Sequence, residues 1–438
     1  ASKLLLTPLT IAMLCASGSV LADVTYDGTT AIIDNSEVYL ADNGTNRTFN
    51  DLIIGKDSRG QLEVINNSSE TVGSNSAPRV ETDNLILGME KDAIGTMKFT
   101  NSKDSRQSAN IRVKADLIIG DNGTGIVDIE NPEKDFSGFS GNRLNVNGDL
   151  ILGNKVSGKG TFTIDGTDEF NTTNFVIGQQ GIGTVTISNT PFNLGLTRAT
   201  DTTYIGGRGN NSTKAVGTLT IDNSAFVTPK LIVGNTGSGT LNLTNGGVIS
   251  TNSIERNTAS ILSNIFVDGG EFRIKTDQPN LFANFTKDNR IELGKKGISF
   301  YTQGLDNDNN NIGTTVVINP NGVLTGDTGK INFEKGEGGF AKYGLGTLEI
   351  SESSKQWTGD LAVTQGTLKF NGDYAMKEGE TLTIGLLDWD EDGKVDEEYG
   401  KLLVNGQIDI SKGDLYVYAD EAINNASKDS KWTDIVKA

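Results

Sequence analysis

The densest set of chemically capable side chains is the run Asp388-Trp389-Asp390-Glu391-Asp392-Gly393-Lys394-Val395-Asp396. Asp388, Asp390, Asp392 and Asp396 put carboxylates at positions 1, 3, 5 and 9 of a calcium loop, with Gly393 at the tight turn. A hard divalent cation needs several oxygens converging from a short curved segment, and this spacing supplies them. Position 12 departs from the pattern: Tyr399 stands where the bidentate Glu belongs, and Glu398 comes one residue early. No helical pattern flanks the run. The expectation is a strand-to-strand loop holding one structural Ca2+, against the plainer alternative of a solvated acidic turn. Asp306-x-Asp308-x-Asn310 is a thinner version of the same arrangement.

Other chemistries are bounded by what the composition contains. The chain has no His, which excludes a Ser-His-Asp or Cys-His catalytic set and any His-ligated metal. Paired carboxylates could serve a polysaccharide-cleaving enzyme. With 56 Asp and Glu, no pair stands out, and the expectation is a non-enzymatic protein. Net charge is −18, and no basic cluster is interleaved with aromatics, which argues against a nucleic-acid partner. An acidic surface keeps an extended protein soluble and limits self-association.

The elements that must position any site are announced by a glycine-punctuated repeat. Leu52-Ile53-Ile54-Gly55 is followed by Gly60-x-Leu62-x-Val64, and Leu85-Ile86-Leu87-Gly88 by Gly95-x-Met97-x-Phe99. The pattern recurs through Gly120, Gly153, Gly178, Gly206 and Gly234, at spacings of 33, 32, 33, 25, 28 and 28 residues. Apolar residues at every second position send one set of side chains inward and the polar set outward. Two short strands cannot close a core, but stacked copies can, each covering the next. Gly and Asn between strands suit bends that need positive φ. Uneven spacing points to a β-solenoid with outer loops of variable length, not a fixed-blade propeller. With 54 Gly and only 7 Pro the chain is built for tight turns.

The N-terminus reads as a secretory signal peptide over residues 1–22. Lys3 precedes an apolar stretch from Leu4 to Ala16, and Val20-Leu21-Ala22 forms a small-residue cleavage site. The sole cysteine, Cys15, lies inside it, so the mature chain relies on sheet stacking without disulfides. The mature part divides into Gly-rich repeats at 23–250, less regular coils at 251–335, and a C-terminal segment at 336–438.

That last segment carries the most specific pattern. Lys342-Tyr343-Gly344-Leu345-Gly346-Thr347-Leu348 is followed by Trp357-Thr358-Gly359, then Val363 and Gly366-Thr367-Leu368. In order and spacing this resembles the autotransporter-associated β-helix repeat of Gram-negative type V secretion. Tyr399, Leu402, Val404, Gly406, Ile408, Gly413, Leu415 and Val417 resemble the last passenger segment before the membrane translocator. The resemblance implies a right-handed parallel β-helix, exported through an outer-membrane translocator barrel and folding from its C-terminal coils. The barrel itself is not within these 438 residues, so the chain resembles a truncated, processed or diverged passenger. The expected role is an adhesin, biofilm component or surface spacer, secreted or held at the cell surface, with a receptor or glycan as partner. Asn319-Pro320-Asn321-Gly322 resembles a motif of two-partner-secreted haemagglutinin-like adhesins, and is also a good β-turn.

Overall fold

In a computed structural model the chain is described at residues 24–42, 45–66, 77–101, 109–130, 142–166, 169–190, 193–195, 201–209, 213–319, 323–351, 355–387, 399–419 and 435–438. The proposed signal peptide with Cys15, the acidic run Asp388 to Asp396, and Pro320-Asn321-Gly322 lie outside these residues.

Every described element is a strand. The apolar triplets form one sheet, in which Leu150–Leu152 pairs in parallel with Leu117–Ile119 on one side and Phe175–Ile177 on the other. The Gly-x-apolar-x-apolar segments form a second sheet. Its twelve strands run from Glu37–Ala41 to Trp357–Thr358 without interruption. At about 4.8 Å per strand this sheet alone spans roughly 50 Å. A third face appears in the N-terminal half as the parallel ladder Asn110–Val113, Arg143–Val146, Glu169–Asn171. From Asn193–Gly195 onward it becomes a ten-stranded sheet that reaches Asp414–Ala419. A six-stranded sheet from Gln278–Leu281 to Val436–Lys437 completes the C-terminal coils. One turn of the solenoid thus runs Ala225–Val227, Lys230–Val233, Ser238–Thr244, and returns to Val248–Thr251 beside its start. The fold is a parallel β-solenoid.

The inward positions stack like on like. Val127, Phe162, Val185, Leu219 and Leu241 are in register and wholly buried. A single strand's alternation would leave half its apolar surface wet; the coils above and below remove that exposure, which is worth about 25 cal/mol per Å2. At the N-terminal end Thr25–Asp27 pairs antiparallel with Thr30–Ile33, so the first sheet begins on a hairpin and not on an open parallel edge.

The repeat's glycines are explained by one corner. Gly55, Gly88, Gly120, Gly153, Gly178, Gly206 and Gly234 all have positive φ, between 60° and 87°. A Cβ on Gly88 would also sit 2.1 Å from the carbonyl oxygen of Thr124 in the next coil. Backbone conformation and backbone crowding therefore both demand Gly. At the next corner Asn189, Asn223 and Asn245 take the left-handed conformation, with φ of 51°, 45° and 52°. Their amides stay satisfied across coils: Asn189 Nδ2 donates to Asp165 Oδ1 at 2.8 Å, and Asn245 Nδ2 to Asp222 Oδ1 at 2.7 Å.

Candidate functional site

The outward positions of the twelve-stranded sheet form a regular polar array. Thr161, Thr184, Thr218 and Thr240 stand in register, one per coil. Two residues along each strand, Thr163, Thr186, Thr220 and Asn242 form a second column. Parallel pairing sets these side chains about 4.8 Å apart along the solenoid, and pleating sets the columns roughly 6.6 Å apart along each strand. Asn242 Nδ2 donates to Thr220 Oγ1 at 3.1 Å. The remaining hydroxyls and methyls face outward as a flat surface of alternating hydrogen-bonding and apolar points. Ile182 and Val216, both more than 40% exposed, flank the array on one side. Asp165, Ser188, Asp222 and Thr244 flank it on the other.

The third face carries a polar cleft of about 460 Å3, lined by Asn110, Arg112, Asn145, Asn171, Thr172 and neighbouring residues. Arg112, Asn145 and Asn171 are in register, and Asn171 Nδ2 donates to Asn145 Oδ1 at 2.5 Å. Arg112 lies 3.9 Å from Glu81 of the preceding coil. Asn110 Oδ1 is buried at its edge without a hydrogen-bond partner among the described residues. These groups can take up hydroxyls and amides; none is an obvious nucleophile.

The C-terminal signature proves to build structure. Lys342 is wholly buried, and its Nζ donates to the carbonyls of Gly344 at 2.7 Å and Gln365 at 2.9 Å. Burial pushes its pKa down to about 7. Gly366 has a φ of 66°, and a Cβ there would meet the carbonyls of Gly344 and Gly346 at 2.4 Å. Trp357 is fully buried and stacks between Phe340, at 4.8 Å, and Phe370, at 6.1 Å. Beside it Lys355 and Glu380 form an ion pair at 2.9 Å, with both side chains under 10% exposed. Burial alone would raise the Glu380 carboxyl. The Lys377 amide, Lys355 and the Gly359 amide outweigh it and hold the group below the usual range.

Asp388, Asp390, Asp392 and Asp396 belong to the stretch that joins Thr381–Leu386 of the third face to Lys401–Val404 of the six-stranded sheet. On its far side Tyr399 is buried and bridges to Gln365, with Lys401 Nζ 4.5 Å from its ring. Among the described residues no three Asp, Glu, His or Cys side chains gather as a metal site. Asp306 closes its own turn instead. Its Oδ1 accepts the amides of Asp308 and Asn310, each at 2.8 Å, and Asn309 takes a φ of 64°. The amide and side chain of Asn310 accordingly hold the Asp306 carboxyl low. Asn319, at the start of the Asn-Pro-Asn-Gly run, donates its side-chain amide to the Pro279 carbonyl at 2.7 Å.

The threonine array was present in the sequence as Gly-Thr-x-Thr and Gly-Thr-x-Asn, yet only register turns separate pairs into a surface. Fold and surface together define a class: a parallel β-solenoid with a flat hydroxyl-lined face. No protein-family model matches the chain, and no curated protein matches it in sequence.

Proposed function

We propose that this chain is the exported, non-enzymatic solenoid of a Gram-negative surface protein, an autotransporter-type passenger that acts by adhesion. The observation that carries the reading is the in-register array of Thr161/Thr163, Thr184/Thr186, Thr218/Thr220 and Thr240/Asn242. A repeated, flat, uncharged surface suits many weak contacts with a repetitive partner such as a glycan or another cell's surface. Such contacts gain strength by multivalency. The length of the rod supports the same role, since it carries an exposed face away from the membrane. The signature around Lys342 and the preceding signal-peptide pattern support the export route.

Adhesion of cells displaying the full chain tests this. Replacing Thr184, Thr186 and Thr218 by Tyr roughens the face while leaving every inward residue in place. Attachment should fall several-fold with display unchanged; equal attachment would remove the array from the account. Polysaccharide cleavage is the competing reading, because Asp288, Glu292 and Arg290 line one cleft. It requires new reducing ends when the full chain is incubated with glycan, and the adhesive reading expects none.

A further inference from the structure

One bulky residue adopts a backbone conformation that its side chain disfavours. Phe282 has a φ of 64° and is wholly buried. Such an outlier persists only where its surroundings over-determine it, and outliers of this kind concentrate at binding sites. Here the surroundings are aromatic: its ring lies 5.6 Å from Phe272, 6.1 Å from Phe285 and 6.5 Å from Phe300. Two residues on, Asn284 also takes positive φ, at 65°. Its Nδ2 donates to the Arg256 carbonyl at 2.9 Å, and its own carbonyl accepts from Arg256 Nη1 at 3.1 Å. Asn289 then ties the segment back to the twelve-stranded sheet, its Oδ1 accepting the Ser263 amide at 3.2 Å. Residues 282–290 are therefore a braced segment, with Phe282 and Phe285 anchored in the core and Lys287, Asp288 and Arg290 forming a wall beside outward positions of that sheet.

Between wall and sheet lies a cleft of about 600 Å3, a volume suited to a small ligand. Lys287, Asp288 and Arg290 project from the wall side, and Thr240, Asn264, Phe266 and Glu292 from the sheet side, so the two cations share the cleft with two carboxylates. Phe266 breaks a pattern. Its outward column reads Asp128, Thr163, Thr186, Thr220, Asn242, Phe266, Glu292 along successive coils, with one aromatic among polar residues. Its half-buried ring offers an apolar face in a column that otherwise presents hydrogen-bonding groups. The cations are equally distinctive. Lys287 and Arg290 are exposed and make no ion pair with any described residue, in a chain whose net charge is −18.

We propose that this cleft binds a carboxylated saccharide, one sugar stacking its C–H face on Phe266 while Arg290 and Lys287 take its carboxylate. An aromatic face suits the apolar side of a sugar ring, and a guanidinium suits a planar carboxylate in bidentate fashion. Asn264 and Thr240 supply donors and acceptors for ring hydroxyls, and Glu292 accepts from them. The inference rests on the adhesive reading and deepens it, placing a specific subsite at the end of the less selective threonine face.

Calorimetry on the full chain tests it with three probes: tetragalacturonate, the neutral maltotetraose, and inorganic sulfate. Tetragalacturonate should bind at least tenfold more tightly than maltotetraose, and sulfate should not compete with it at equal concentration. Phe266→Thr, which restores the residue type of the neighbouring coils, and Arg290→Gln should each weaken it tenfold or more with unchanged melting. Equal binding of the two oligosaccharides, full competition by sulfate, or an unaffected Phe266→Thr variant would each overturn the proposal. Surface display of the same variants, read with antibody on whole cells, separates the two claims. Display without uronate binding defeats the subsite alone, whereas absence of the chain from the surface defeats the adhesive reading.

Discussion

Lys342 donates from its buried ammonium to the carbonyl oxygen of Gln365 at 2.9 Å, joining two coils through a side chain with no access to solvent. It also holds the Gly344 carbonyl at 2.7 Å, so one amine satisfies the oxygens of two turns where the strands leave them unpaired. This is the physical content of the Lys-x-Gly-x-Gly signature: a cation placed where the backbone needs a donor.

That amine makes stability depend on pH. Folding lowers the Lys342 pKa from 10.5 to about 7, so between these values the unfolded chain binds a proton that the folded chain has released. Stability therefore rises as pH increases from 7 toward 9, by at most ~1.4 kcal/mol per unit. With no His in the chain, few other side chains titrate in that window. Denaturant titrations of wild type and Lys342→Met from pH 6 to 9 check it. The wild type should gain relative to the variant, and parallel curves would mean that Lys342 does not discharge. At the acid end the sign is the same. Glu380 has a lowered pKa, so its contribution is intact above its ordinary value of 4.5 and is lost as pH falls below.

Substituting Ile177 with Asp should disturb only its own neighbourhood. Ile177 is wholly buried, paired in register with Leu152 below and Ile205 above. An uncompensated carboxylate there costs about 3–5 kcal/mol. Solenoid coils couple mainly to nearest neighbours. Hydrogen exchange should rise across residues 150–206 and stay low around Leu348. Uniform acceleration along the whole chain would show that the coils unfold as one unit.

Close backbone approach beside the glycine corner predicts a contrast between two substitutions. A Cβ on Gly217 would lie 2.2 Å from the Ile177 carbonyl oxygen, whereas one on Gly336 meets nothing within 4 Å, although its φ is 63°. Gly217→Ala must displace backbone and should cost several times the roughly 1–2 kcal/mol that the left-handed conformation costs Ala at Gly336. Thermal melting of the two variants checks this; similar midpoints would mean that the corner relaxes freely.

What the sequence revealed and what it hid divide along the range of the interactions involved. The triplets, their glycines and the asparagine bends were legible because each is set within a few residues of chain. Ile177 and Phe162 could be placed inward by alternation alone, and both are fully buried. The third face was not legible: Asn110–Val113, Arg143–Val146 and Glu169–Asn171 are short, polar on one side and lack the glycine mark. Past residue 250 the glycine column gives way to Ser263, yet Gly239 pairs with it and the sheet continues. The cleft at Phe266 was hidden for a different reason. Its wall is held by Phe272, Phe282 and Phe300, whose meeting depends on two successive coils. An aromatic in a column of Thr and Asn was the available signal.

For the acidic run at 388–396 the expectation remains calcium. Four carboxylates this close repel one another unless a cation screens them. Under the proposed export route the run would meet calcium outside the cell, where it is plentiful. If one ion binds the native state, the melting midpoint should climb with millimolar calcium, and Asp390→Asn should blunt the climb. Identical melting in calcium and in chelator, with no heat of binding, would leave a solvated turn.

The central claim is exposure of this solenoid on the outside of a Gram-negative cell. Intact, unpermeabilised cells expressing the gene from its own locus, labelled with antibody raised against residues 213–319, test it most directly. The account predicts surface labelling that externally added protease removes. Labelling that appears only after the outer membrane is permeabilised would contradict it.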